Sequence, residues 1–513
     1  MMDFGSNWVS SLAHWVEATP TRTAVVKGDA SLSYEALWRQ ARQFSGYLQH
    51  SGVKAGERVA FYLPKQLEAV AALIGTAMAG CVAVPVNPVL KVDQLAHILK
   101  DCGARLLVTQ KARLRTIADL GVTLDVLCID ESNSWADVVQ TEPGQVKPVQ
   151  TEDLCLIFYT SGSTGKPKGV MVTHDNLSAG AEVVSGYLSL DQNDKILSLL
   201  PWSFDYGFNQ LGNAFHVGAQ LVLMDFLLPQ DVPRQIERFG VTVLGCVPPL
   251  WHQLMDVKWS ESARHSLRIL TNTGGRMPRP LLERMQSQFP SAKIYLMYGL
   301  TEAFRSTYLD PVELEYRPDS IGKAVPGEEV LVVRSDGTLC GPDEVGEIVH
   351  TGRFVSPGYW RDEEKSAHRF KAPPKASRYF GSNCYSVYSG DKARYDEDGF
   401  IYFIGRDDEM IKTSGYRVSP TEVEEAAMQC TQVAQAFACG VEDERLGQSI
   451  ALILRPKNPN DKDSSVFLQE FKTKTPNYMA PSRVIWLDEL PMSPNGKLDR
   501  TALSVIVREE REI

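Results

Sequence analysis

Along the first third of the chain, short apolar runs alternate with longer segments whose apolar residues return every three or four positions. RVAFYL (58–63), CVAVPV (81–86), RLLVTQ (105–110), DVLCI (125–129) and LCLIFY (154–159) are short, β-branched and aromatic, and read as buried strands. QLEAVAALIGTAMAG (66–80) and QLAHILKDCG (94–103) carry helical spacing. This alternation predicts βαβ units around a largely parallel sheet. Around GEIVHTGRFVSPGYW (346–360) the texture changes to strands punctuated by Gly and Pro, which predicts a small barrel-like or antiparallel unit. A charged segment, GRDDEMIKTSGYRVSPTEVEEA (405–426), then leads into a short α+β region, inside which PKNPNDKDSS, from Pro456, reads as a solvated loop. The expected fold class is therefore α/β: a large N-terminal domain (1–406) of doubly wound subdomains with a small β-barrel-like subdomain, then a small α+β C-terminal domain (407–513).

Composition narrows the function. A chain of 513 residues is too long for one core. Its 43% hydrophobic and 23% charged residues are ordinary for a globular protein, and a net charge of −10 argues against a nucleic-acid or anionic-membrane surface. The N-terminal residues lack the basic region of a secretory signal, and the longest apolar stretch, AVAALIGTAMAG, is too short to span a bilayer. Nine scattered cysteines with no CxxC pair predict a reduced, cytoplasmic chain without structural zinc.

The most chemically loaded stretch is YTSGSTGKPKG (159–169), in which small residues, hydroxyls and two lysines suit phosphate oxygens. It is not a nucleotide-hydrolase P-loop. Counted back from Gly165-Lys166, the first glycine position holds Thr160, and Pro167 stands where a magnesium-binding hydroxyl belongs. The following Val170-Met171-Val172-Thr173 reads as a second strand, so the loop joins two strands.

YTSGSTGKPKGV, MYGLTEA (297–303), GEIVHTGRFVSPGYW, YSGD (388–391), GRDDEMIKTSGYRVSPTEVE and PNGKLDR (494–500) occur in this order, with weaker early matches at LSYEAL (32–37) and AGCVAVPVNP (79–88). Together they resemble the adenylate-forming superfamily of acyl-CoA synthetases, peptide-synthetase adenylation domains and luciferases. Within it the chain looks most like stand-alone ligases associated with exosortase A gene clusters. The resemblance implies that a carboxylate attacks the α-phosphorus of ATP, giving acyl-adenylate and pyrophosphate, and that a phosphopantetheine thiol then takes the acyl group. Because the first step joins two anions, its catalysis is chiefly charge neutralisation and positioning.

By the same resemblance, Thr160, Ser161, Gly162, Ser163, Thr164, Gly165 and Lys168 would wrap the β- and γ-phosphates. Tyr298 would stack on adenine, with Gly274 and Gly275 closing its other face; Thr301 would touch the α-phosphate and Glu302 would hold Mg²⁺. Asp391 would take the ribose hydroxyls, assisted by Arg406. Lys497 would bridge the substrate carboxylate and the α-phosphate; its surroundings also resemble a lysine-acetylation site. The C-terminal domain would be mobile, pivoting at Asp408 and bringing Gly415 to the thiol's path.

The substrate is less constrained. Acyl-CoA synthetases commonly carry an aromatic-His element after the proline at Pro201, and here Phe204-Asp205 stands instead, resembling the Phe-Asp of amino-acid adenylation domains. Asp205 would then meet an α-ammonium, with Tyr206, Asn209, Cys246, Thr271, Thr273, Met297, Arg305 and Ser306 completing the pocket. Alternatively Asp205 and Arg305 neutralise each other and the acid is a plain acyl chain. The leading expectation is an amino-acid ligase serving a separate carrier protein; the alternatives are a CoA ligase for a small or modified acid, and a nucleotide binder without turnover.

Overall fold

The alternation of apolar runs and helices closes into two stacked α/β layers, each built on a mostly parallel sheet. The computed structural model describes residues 7–118, 120–131, 134–160, 167–382, 384–406, 409–413, 416–443, 447–475 and 479–509. The first sheet has six strands in the order Asp125–Cys128, Ala104–Thr109, Arg58–Tyr62, Val82–Pro85, Leu154–Thr160, Lys168–Thr173; only the last pair is antiparallel. All five runs read as strands from the sequence lie in it. The two helices read from the sequence form as Leu67–Met78 and Val92–Cys102.

The second sheet has nine strands: Lys323–Ala324, Thr307–Leu309, Lys293–Tyr298, Ile269–Asn272, Val243–Cys246, Lys195–Ser198, Gln220–Leu223, Thr23–Lys27 and Ala30–Ser33. Its interior is parallel and its outer pairings are antiparallel. The texture change at residue 346 marks a five-stranded antiparallel sheet, in which Gly346–Thr351 lies between Glu329–Val333 and Ser386–Tyr395. A separate five-stranded sheet with helices Pro420–Met428, Ser464–Lys474 and Arg500–Glu509 forms the C-terminal α+β region.

Strands buried on both faces leave their carboxyl ends as the natural opening of such a layer. Cys246, Asn272 and Tyr298 end three neighbouring parallel strands, and Thr160 ends a strand of the six-stranded sheet. The segments that follow Cys246, Asn272 and Tyr298 help to build one cleft.

Helix Asp205–Val217 is held against the cleft by a missing side chain. A Cβ on Gly207 would stand 2.2 Å from the Pro201 carbonyl oxygen and 2.9 Å from that of Leu200. The Gly207→Ala substitution should therefore cost about 1–3 kcal/mol through overpacking. At Gly212 in the same helix the nearest atom to an added Cβ is that of Ala181 at 3.6 Å, so Gly212→Ala should be neutral or stabilising by up to about 1 kcal/mol. Urea denaturation of both variants checks this opposition in sign.

Candidate active site

The cleft contains a buried carboxylate held from two sides. Glu302 lies in the short turn Thr301–Ala303 after strand Lys293–Tyr298. Its Oε1 accepts from Lys168 Nζ at 2.9 Å and from the Tyr359 hydroxyl at 2.7 Å, while Lys168 also donates to the Tyr359 oxygen at 2.7 Å. Burial alone would raise the Glu302 carboxyl, but the Lys168 ammonium and Tyr359 hydroxyl bring it below the usual range. Lys168, expected at the phosphates, thus faces Glu302, and Tyr359 joins them from the GEIVHTGRFVSPGYW segment, where no local pattern marks it for this contact.

Around the neighbouring aromatic ring, the Tyr298 hydroxyl donates to Asp391 Oδ2 at 2.5 Å, and Arg406 Nε lies 3.7 Å from Asp391 Oδ1. Burial raises the Asp391 carboxyl. One side of the Tyr298 ring stacks at 5.9 Å on His350, whose two ring nitrogens are buried without partners; burial brings its pKa down to about 3, so it is neutral. His350 also escaped the sequence reading, since a single histidine within a strand carries no signal of its own.

Lys497 reaches this cleft from the C-terminal region. Gly496, at φ 76°, turns the chain, and the Ser493 hydroxyl accepts from the Lys497 amide at 3.2 Å. Asn87 Nδ2 donates to the Pro494 carbonyl at 2.8 Å and ties this turn to the N-terminal domain. Asn87 belongs to the early AGCVAVPVNP match, but only the fold shows what it binds. The Lys497 ammonium sits 4.7 Å over the Phe204 ring. Gly274, at φ 79°, makes room for it: a Cβ there would stand 2.8 Å from Lys497 Cε. Burial lowers the Lys497 pKa, opposed by the Asp205 carboxylate. Gly275, next in the chain, has Pro248 alongside.

Asp205, first residue of its helix, is 4% exposed and accepts from the Thr301 hydroxyl at 3.2 Å. Burial raises its carboxyl, opposed by the charges of Arg305 and Lys497. Tyr206 shares a short hydrogen bond with Thr271. Tyr206, Asn209, Thr271 and Met297 line one small cavity together with Gly245, where a Cβ would meet the Tyr206 hydroxyl at 2.6 Å. Cys246 is buried, Met297 Sδ accepts from the Tyr187 hydroxyl at 2.9 Å, and Thr273 and Ser306 keep buried hydroxyls without partners. Thr160 Oγ1 is likewise buried with no partner among the described residues. Ser161, Gly162, Ser163, Thr164 and Gly165 lie outside the described residues, as do Asp408 and Gly415.

The profile described as AMP-binding enzyme matches residues 12–360, and that of the AMP-binding enzyme C-terminal domain matches residues 422–497. The chain is 29% identical over 504 residues to a dimodular nonribosomal peptide synthase of Bacillus subtilis (strain 168), covering 94% of this chain but 20% of that protein. The chain thus spans a fifth of that relative's length. It is 27% identical over 507 residues to a D-alanine--D-alanyl carrier protein ligase of Bacillus licheniformis, covering 96% of this chain and 98% of that protein. An anthranilate CoA ligase in complex with anthranoyl-AMP superposes with a TM-score of 0.89 at 25% identity, covering 100% of this chain and 99% of that one. The o-succinylbenzoate CoA synthetase of Bacillus subtilis, in complex with its acyl-adenylate, superposes with a TM-score of 0.84 at 26% identity over 97% of both chains. The chain belongs to the AMP-binding enzyme family.

The Glu302 pairing makes a prediction that needs no substrate. Its contribution to stability is full above the ordinary carboxylate range and is lost as pH falls through it. The Lys168→Met substitution leaves a buried carboxylate without its cation and should cost about 3–5 kcal/mol at neutral pH. Without Lys168 burial raises the Glu302 carboxyl, so the variant takes up its proton over a range of falling pH in which the wild type stays ionised. The stability gap should narrow over that range in parallel urea titrations; a constant gap would contradict the pairing.

Proposed function

We propose that this chain activates a small or modified carboxylic acid with ATP as an acyl-adenylate and transfers it to the phosphopantetheine thiol of coenzyme A. The observation carrying the choice of acid is the surroundings of Asp205. Its carboxylate accepts from the Thr301 hydroxyl, and the positive charges of Arg305 and Lys497 oppose the rise that burial causes without forming a close pair with it, so part of its need for a substrate ammonium is met within the protein. The full-length likeness to anthranilate and o-succinylbenzoate CoA ligases supports coenzyme A as acceptor.

In this reading Lys497 holds the attacking carboxylate against the α-phosphate, offsetting the repulsion between two anions. Thr301 orients the α-phosphate, and Asp391 with Arg406 fixes the ribose. Tyr298 supports adenine on the ring side away from His350. The loop 160–168 receives the outer phosphates; the buried Thr160 hydroxyl, with no partner among the described residues, fits that use. Glu302 offers the hard oxygen that Mg²⁺ prefers, alongside the phosphates of its own ligand. Mg²⁺ would supply neutralisation of phosphate charge. The division at 406/407, the pivot at Asp408, the thiol path at Gly415 and the likeness to exosortase-associated ligases belong to the same proposal and rest on the motifs.

A second reading keeps the amino acid and a separate carrier protein. It is supported by the Phe204-Asp205 pair in the cleft and by the likeness to the carrier protein ligase over 98% of that protein.

Two variants test these readings. Lys497→Ala should lower ATP–pyrophosphate exchange by about 10²–10³ while thiolation from pre-formed acyl-adenylate continues; equal loss of both steps would remove Lys497 from its role. Asp205→Ala separates the acids. With coenzyme A and a plain acid, exchange should fall alike for amino acids and their des-amino analogues. With an ammonium at Asp205, the native amino acid should lose about two to four orders of magnitude, matching roughly 3–5 kcal/mol, and the des-amino analogue should gain relative to it.

A further inference from the structure

Beside Tyr206 lies a cation with two nitrogens that lack a hydrogen-bond partner among the described residues. Arg305 is 1% exposed, with its guanidinium carbon 4.9 Å from the Tyr206 ring centroid, yet its Nε and Nη2 are buried with no hydrogen-bond partner among the described residues. Among the described residues no carboxylate oxygen comes within 4.0 Å of it, Asp205 included. The two side chains are felt by each other as charges but do not form an ion pair. A guanidinium does not shed its charge, and leaving one buried and unpaired is strongly unfavourable.

The backbone is arranged to present it. Phe304, the residue before, has φ 49° and ψ −68°, a left-handed conformation that bulky residues rarely take. Its ring fills space left by Gly180, where a Cβ would be 2.1 Å from Phe304 Cε1, and Gly299 leaves room for the Arg305 backbone. Such strain persists where the surroundings over-determine it, and it concentrates at ligand clamps. The cavity beside Tyr206 has a volume of about 20 Å³, and in its lining Gln210 Oε1 and Asn213 Oδ1 are also buried without partners.

We infer that the acid activated here carries a second carboxylate, received by Nε–H and Nη2–H of Arg305. This rests on the ligase reading above. Nε and Nη2 form the side edge of the guanidinium, whose parallel donors match the two oxygens of a carboxylate. Lys497 is then left to the reacting carboxylate. The class is therefore a dicarboxylic acid, with or without an amino group for Asp205 to meet.

ATP–pyrophosphate exchange on matched acids tests this: butyrate against succinate, valerate against glutarate, 2-aminobutyrate against aspartate, and norvaline against glutamate. In at least one pair the wild-type protein should favour the diacid by about 10² or more in kcat/KM, because a site built around a buried polar group rejects the analogue lacking its partner. Arg305→Met should lower use of that diacid by about 10², chiefly through KM, and shift the preference toward its monoacid partner; Arg305→Lys should fall between. A monoacid used as well as its diacid in every pair overturns the inference, as does equal loss of both in Arg305→Met. The wild-type comparison decides even if that variant fails to fold. Exchange with monoacids alone removes only this inference, whereas exchange with no acid removes the ligase reading with it.

Discussion

A carboxylate without water must be met by donors, and the way Glu302 is met organises this molecule. Lys168 opens the edge strand of the six-stranded sheet, Glu302 follows a strand of the nine-stranded sheet, and Tyr359 follows a strand of the antiparallel sheet. One carboxyl group therefore pins three separately built layers to a common point. The apolar cluster of Val170, Ala303, Tyr359, Phe370 and Val387 draws on the same three layers and keeps water from that point. Removing solvent strengthens each of these charge-assisted bonds and makes an imperfect set costly, so the layers have little freedom to slide.

The other charges in the cleft are arranged on a different principle. Lys497, Arg305 and Asp205 influence one another at a distance, but no close pair consumes them. A pocket whose ions were mutually satisfied would bind a charged acid only by breaking those bonds first. Here the donors stay available because glycines at 274 and 299 and the turn at Phe304 hold the cations in place by shape. Position is fixed by packing, and charge is left for chemistry.

Much of this was legible in the sequence. The apolar runs marked all six-stranded-sheet strands up to Thr160, because strands covered on both faces must be apolar throughout. The ordered motifs singled out Glu302, Asp391 and Lys497, and the contacts of each with Lys168, Tyr298 and Phe204 became visible only in the fold. Partnerships across long sequence separations were not legible. Strand Thr23–Lys27 joins the second sheet beside Gln220–Leu223, and Asn87 reaches Pro494, through contacts that no local pattern encodes. The state of Arg305 was equally hidden: the sequence left open whether Asp205 neutralised it, and only the folded distances separate the two side chains.

The seam between the two domains differs in kind from the interior of either. None of the apolar clusters among the described residues includes side chains from both sides of residue 406. The seam is tied instead by Arg276–Glu425 at 2.5 Å, Arg455–Asp256 at 3.5 Å and the Asn87–Pro494 hydrogen bond. Apolar contacts hold much the same in dilute and concentrated electrolyte, whereas partly exposed ion pairs fade as the Debye length shrinks from about 10 Å at 0.1 M to about 3 Å at 1 M. The grip of one domain on the other is thus set partly by the surrounding salt, while the cores on either side are indifferent to it.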